Sequence, residues 1–234
     1  MNKPLLNIHA IIPTRGDRKE FVEFAVRQME NQTLSPNKIS VIDYPPTSTK
    51  VDLASRFKYG IIQALADGAD IIFFIEDDDF YRQEYIETMT QMWLGAGQPS
   101  LFGLDTTIYY HLGLKMAGWV KHLGRASMYS TMISKDFDIS VWPNDPERFV
   151  DLKIWKQTKD KKAAPPIDMI CLGIKHGHGK CGGSMHDPDK FMRMFRQHNL
   201  PDYNLDYLKQ MTGPGFWFYR AIMNGQDGRT SLCN

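Results

Sequence analysis

The chain is short of cysteine, of long apolar runs and of excess charge, and each shortage removes a class of protein. Its three cysteines, Cys171, Cys181 and Cys233, cannot pair completely and lack the spacing of a disulfide framework, which excludes a stapled secreted domain and points to a reducing compartment. No stretch approaches the roughly 18 uninterrupted apolar residues that span a bilayer. Residues 1–10 carry one lysine and only a short apolar run, so no targeting leader is expected and the expectation is a soluble, cytoplasmic protein. Twenty-eight Lys and Arg against 27 Asp and Glu leave a net charge of +1; global electrostatics then recruits neither nucleic acid nor an acidic membrane, and any basic site is local. There is no recurring period of the solenoid kind and no low-complexity tract. What remains is 234 residues that are 42% hydrophobic, 12% aromatic and 24% charged, enough apolar material for a packed core in one domain or a close pair.

Hydrophobic periodicity then alternates in type. Residues 5–12 read as a buried strand stopped by Pro13. Residues 19–31 place Phe21, Val22, Phe24, Ala25, Val26 and Met29 three and four apart, a helix with one apolar face. Residues 38–43 make a second strand, residues 53–67 a second helix with Tyr59, Ile62 and Ala66 as its stripe and Gly68 as its C-cap, and residues 71–75 a third strand. Such a series predicts an α/β fold with a parallel sheet wrapped by helices. Further on, residues 82–93, 147–157 and 187–197 read as helices, residues 101–110 and 124–134 as strands or a hairpin, and residues 169–174 as a strand entering a glycine-rich turn. The last 20 residues give no assignment. Lone histidines at 9, 111 and 122 read as structural, and Trp119, Trp142, Trp155, Trp217 and Phe218 as core.

In open α/β sheets ligands bind beyond the carboxyl ends of the strands, which here are residues 13–15, Asp43 and residues 76–79. Glu76-Asp77-Asp78-Asp79 sets four carboxylates directly after an apolar strand, where their repulsion calls for a cation. Hard oxygen ligands of this kind suit Mg²⁺ or Mn²⁺, ions that also hold substrate phosphates. Lys175-His176-Gly177-His178-Gly179-Lys180-Cys181-Gly182-Gly183 adds cationic and metal-binding groups on a backbone that a diphosphate can approach closely. A rival reading of that stretch is structural zinc on His176, His178, Cys181 and His186, although their spacing fits no common zinc pattern.

Four segments in order, Ile11-Ile12-Pro13-Thr14-Arg15, Ile42-Asp43, Ser55-Arg56 with Gly60, and Phe73-Phe74-Ile75 followed by the acidic run, resemble the nucleotide-sugar-binding half of family-2-like glycosyltransferases with the GT-A fold. The resemblance covers about the first 95 residues. It implies a single GT-A-like, Rossmann-like domain over residues 1–234, with a mostly parallel central sheet, residues 1–95 binding the nucleotide sugar and residues 96–234 forming a mixed-sheet acceptor half. It further implies that Pro13, Thr14, Arg15 and Asp43 line the base pocket, that Arg56 and Asp77 lie near the nucleotide, and that Asp78 binds Mn²⁺ or Mg²⁺ with Asp79 as competitor. Asp151 stands where the family's general base is found, with Glu147 and Asp145 as alternatives. His176 is the late metal ligand, with His178 as the alternative, and Lys175 or Lys180 faces the departing diphosphate. The activity so implied is metal-dependent, inverting transfer of a sugar from a nucleotide diphosphate sugar, UDP being the usual carrier in the family, to an acceptor hydroxyl on a glycan, small molecule, protein or modified nucleic acid. A sugar-phosphate nucleotidyltransferase is the enzymatic alternative, disfavoured because Pro13-Thr14-Arg15-Gly16-Asp17-Arg18 has too few glycines for its phosphate loop; a zinc-holding binding module is the nonenzymatic one.

Overall fold

The chain builds two sheets, and the strands beyond residue 100 are shared between them. The computed structural model describes residues 6–15, 18–44, 51–177 and 184–225. Its first half runs β1 (Ile8–Pro13), α1 (Lys19–Glu30), β2 (Lys38–Ile42), α2 (Leu53–Ala66), β3 (Ile71–Phe74), β4 (Phe80–Tyr81) and α3 (Tyr85–Gly95). Next come β5 (Leu101–Leu104), β6 (Thr106–His111), β7 (Met116–Lys121), β8 (Thr131–Ser134), α4 (Val150–Gln157), β9 (Lys161–Ala164) and β10 (Cys171–Lys175). The last described elements are α5 (Pro188–Met194), β11 (Asn199–Pro201), α6 (Asp206–Thr212) and α7 (Phe216–Met223).

One sheet has the order β2-β1-β3-β8-β5-β9 and the other β11-β7-β6-β10-β4. In the first, β1 pairs parallel with β2 and β3, and β5 with β9, while β8 runs antiparallel between β3 and β5. The second is mixed, with β6 and β7 as its antiparallel hairpin and β10 parallel to β6. The α/β, GT-A-like class expected from the sequence is therefore the class found. Every residue of β1 and β3 is buried, as required of parallel strands covered on both faces. Side chains alternate between the faces: Ile8, Ala10 and Ile12 join Met29, Phe73, Tyr85 and Met89 on one side, and Ile11 joins Phe57, Ile61, Phe74 and Trp155 on the other.

Several expectations need correction. The stripe assigned to α2 is its outer face: Tyr59 and Ile62 are 49% and 51% exposed. The helix instead turns Ala54, Phe57, Gly60, Ile61 and Ala64 inward. Gly60 fixes that choice, because a Cβ there would come within 3.2 Å of Ile42 and 3.3 Å of Ile11, so the helix approaches the sheet most closely along the glycine. Gly68 does end α2, at a φ of +77° with its N–H on the Leu65 carbonyl. Residues 101–110 are two strands in different sheets, and of residues 124–134 only β8 is extended. β7, α6 and α7 were not anticipated. Trp142 and Trp155 are core, but Trp119 and Trp217 are 41% and 63% exposed. Cys171 is a buried free thiol, while Cys181 and Cys233 lie outside the described residues. Among the described residues no helix is long and apolar enough to cross a membrane.

Candidate functional site

The carboxyl ends of β1, β2 and β3 open onto one crevice. Pro13 and Thr14 are buried at its base, and the Thr14 N–H bonds the Ile42 carbonyl at 3.0 Å, carrying the β1–β2 pairing one residue further. Asp43 is exposed at the end of β2. Arg15 is held by Asp52 at 2.9 Å.

Arg56 is 1% exposed, so it supports the strand ends from beneath. Its Nη1 donates to the carbonyls of Thr14 (2.6 Å) and Tyr44 (2.9 Å), and Nη2 to Asp52 Oδ2 (2.9 Å). One guanidinium thus ties the ends of β1 and β2 to the first turn of α2. Arg56→Ala would strand the buried Asp52 carboxylate and those carbonyls, so a stability loss of about 3–5 kcal/mol is expected, read as a lowered midpoint in urea unfolding. A loss under about 1 kcal/mol would show that the clamp does not hold the strand ends.

The acidic loop after β3 is pinned from both sides. The Tyr81 hydroxyl accepts from the Glu76 N–H at 2.9 Å, and Gln28 of α1 accepts from the Tyr81 N–H while donating to the Asp79 carbonyl. Within this frame the carboxylates diverge. Asp79 points into the core, where Oδ1 accepts the Ile174 N–H at 2.7 Å, and burial pushes its pKa well above the usual range. It therefore couples the loop to the end of β10 and stands apart from the metal-type cluster. Asp77 bonds Arg18 through Oδ1 and Thr14, while its Oδ2 is buried without a partner. Burial pushes the Asp77 pKa up to about 7 against the pull of Arg18.

Asp78 is the meeting point. Its Oδ2 lies 2.9 Å from Arg18 Nη1 and 3.0 Å from His176 Nε2. Burial raises its pKa, but Arg18 and His176 together outweigh that and hold it well below the usual range. His186 completes a cluster in which Asp78, His176 and His186 each bring a ligand atom within 4.8 Å of the others. Burial and then Lys175 push the His186 pKa down to about 3, so its imidazole is neutral and able to ligate throughout the working pH range. Its Nδ1 accepts the Gly177 N–H at 3.1 Å. One carboxylate and two imidazoles form a donor set that fits a divalent ion such as Mn²⁺.

Lys175 is the last residue of β10, with its Nζ 5.0 Å from the Tyr109 ring centre. Burial alone would lower its pKa, but Asp79, Asp78 and Glu76 raise it above the ordinary value, so it stays a cation. Asp151 sits in the first turn of α4, 3.2 Å from Arg125. Burial raises its pKa against Arg125. The two alternatives are engaged elsewhere: Asp145 accepts from the Ser55 N–H, and Glu147 from the Phe149 N–H. His178 and Lys180, with Cys181, fall outside the described residues. Sequence reasoning passed over Arg18, Arg125 and Tyr109 and placed His186 only in a zinc set. The available signal for Arg18 was its position between the first strand and the helix that follows.

Two of the three lone histidines are hydrogen-bonded within the fold. His122 Nε2 lies within hydrogen-bond distance of Thr107 and Ser127, and His111 Nε2 of the His186 carbonyl.

No family model and no curated protein matches the chain. Among solved structures, residues 1–349 of S. aureus TarS in complex with UDP-GlcNAc align with a TM-score of 0.53 at 12% identity, covering 97% of this chain and 77% of that one. A longer S. aureus TarS structure aligns at 10% identity with a TM-score of 0.48, and this chain spans 46% of its length. The first likeness shows that the fold is shared.

Proposed function

We propose that the protein is a glycosyltransferase that moves a sugar from a nucleotide diphosphate sugar, with UDP as the favoured nucleotide, to an acceptor hydroxyl with inversion. The observation that carries this reading is the cluster of Asp78, His176 and His186, with Asp78 held by Arg18 just beyond β3, in a fold shared with a protein crystallised with UDP-GlcNAc. In this reading Thr14, Arg15 and Asp43 hold the base and ribose. Asp78, His176 and His186 would hold Mn²⁺ or Mg²⁺, which supplies positive charge for the diphosphate. Lys175 stabilises the negative charge that develops on the diphosphate as the bond to the anomeric carbon breaks. Asp151 accepts the acceptor hydroxyl's proton as its oxygen attacks the opposite face, and Arg125 orients that carboxylate.

The test is donor hydrolysis, in which water replaces the unidentified acceptor. Purified protein with Mn²⁺ is expected to release UDP slowly from UDP-GlcNAc or another UDP-sugar, and the release is expected to stop with EDTA. A protein that fails both to hydrolyse and to bind every UDP-, GDP-, CDP- and TDP-sugar would sink the proposal.

A further inference from the structure

Arg18 stands at the N-terminus of α1 and reaches across the floor of the crevice. Its Nη1 is 2.9 Å from Asp78 Oδ2 and 3.2 Å from His176 Nε2, its Nη2 bonds Asp77 Oδ1, and its guanidinium lies 5.4 Å from the centre of the Phe21 ring. Asp78 and His176 are two of the three residues in the metal-type cluster. The guanidinium therefore sits on the atoms an ion would need.

Geometry sets the two occupants against each other. Ligands bonded to one ion at about 2.0–2.2 Å are at most about 4.4 Å apart, whereas these ligand atoms spread to 4.8 Å. The cluster has to contract around an ion, while the Arg18 guanidinium already sits on Asp78 Oδ2 and within 3.2 Å of His176 Nε2, two atoms that lie 3.0 Å apart. A carboxylate oxygen and an imidazole nitrogen also cannot direct the same lone pairs at both a guanidinium and a divalent ion. Two cations at that separation repel even under strong screening.

We propose that Arg18 is a displaceable counter-cation: it neutralises Asp77 and Asp78 while the site holds no ion, and it must swing off Asp78 and His176 before a divalent ion binds. The inference rests on the metal site of the proposed function and adds a gate to it. A donor diphosphate offers the displaced guanidinium a new anionic partner, so ion and nucleotide bind cooperatively, each making room for the other. Without nucleotide the ion is held weakly.

Calorimetric titration of Mn²⁺ into ligand-free protein reads this directly, without any turnover. Arg18→Gln is expected to bind Mn²⁺ about tenfold more tightly than the wild type, since it removes a competitor and leaves every ligand in place. UDP is expected to strengthen Mn²⁺ binding to the wild type more than to Arg18→Gln. Arg18→Lys, which keeps the charge but loses the two-pronged hold on Asp77 and Asp78, is expected to fall between them and serves if Arg18→Gln does not fold. Equal or weaker Mn²⁺ affinity in both variants would overturn the gate while leaving the metal site standing. Absence of Mn²⁺ binding from all three proteins, or binding that persists after His186→Ala and Asp78→Ala are combined, would overturn the metal site and the gate with it.

Discussion

Asp78→Asn is expected to abolish Mn²⁺-dependent stabilisation by UDP and to lower donor turnover by about 10²–10³-fold. The substitution keeps the shape of the side chain and one oxygen for Arg18 or His176 but removes the charge. That charge is what a divalent ion would exploit: Asp78 is the carboxylate of the cluster it forms with His176 and His186, and its charge is already held strongly by Arg18 and His176. Asp79→Ala should behave differently. Asp79 Oδ1 accepts the Ile174 N–H inside the core, so the loss there is expected in thermal stability, with metal-dependent UDP binding retained by the folded fraction. Turnover by Asp78→Asn within tenfold of the wild type would show that the cluster does not hold the ion.

Asp151→Asn is expected to lower kcat by about 10²–10⁴-fold while UDP affinity changes by less than about threefold. A general base is needed in the transition state and not for donor binding, so the two readouts separate its role from a structural one. Its pH dependence has a definite sign. Burial raises the Asp151 pKa and Arg125 opposes that rise, and only the unprotonated carboxylate can take a proton. Activity should therefore fall as pH drops through the raised pKa. Removing the opposing cation with Arg125→Gln should shift this acid limb to higher pH. An acid limb left in place by Arg125→Gln, with an active Asp151→Asn enzyme, would assign the base elsewhere.

The first half of the fold was legible because its strands and helices carry strong, local patterns. β1, α1, β2, α2 and β3 all lie where the periodicity places them, with boundaries differing by a few residues. The inward face of α2 carries Ala54, Phe57, Ile61 and Ala64 at helical spacing, but Tyr59, Ile62 and Ala66 offer a competing apolar stripe, and the close approach at Gly60 that decides between them is a tertiary contact. The second sheet was read poorly for a different reason. β10 lies between β6 and β4, and β11 pairs with β7, so its order depends on distant segments and not on neighbours in the chain. α7 was hidden by the glycines around it.

At the site, topology foretold that residues 13–15, Asp43 and the acidic run would share a crevice. Nothing in the spacing could bring His176 to 3.0 Å from Asp78 across 98 residues; only the family resemblance suggested a late histidine there. Arg18 and Arg56 were the hardest to read. An arginine in a turn or on a helix is most often solvated, and in this protein one bridges two carboxylates while the other is buried beneath the strand ends.

Thermal unfolding measured with UDP, GDP, CDP and TDP, each with and without Mn²⁺, tests the central reading most directly, because a ligand that binds only the folded state must raise its apparent stability. The account predicts that UDP raises the Tm and that Mn²⁺ enlarges the rise, with both effects absent in Asp78→Asn. A Tm unmoved by every nucleotide, with or without metal, would contradict it.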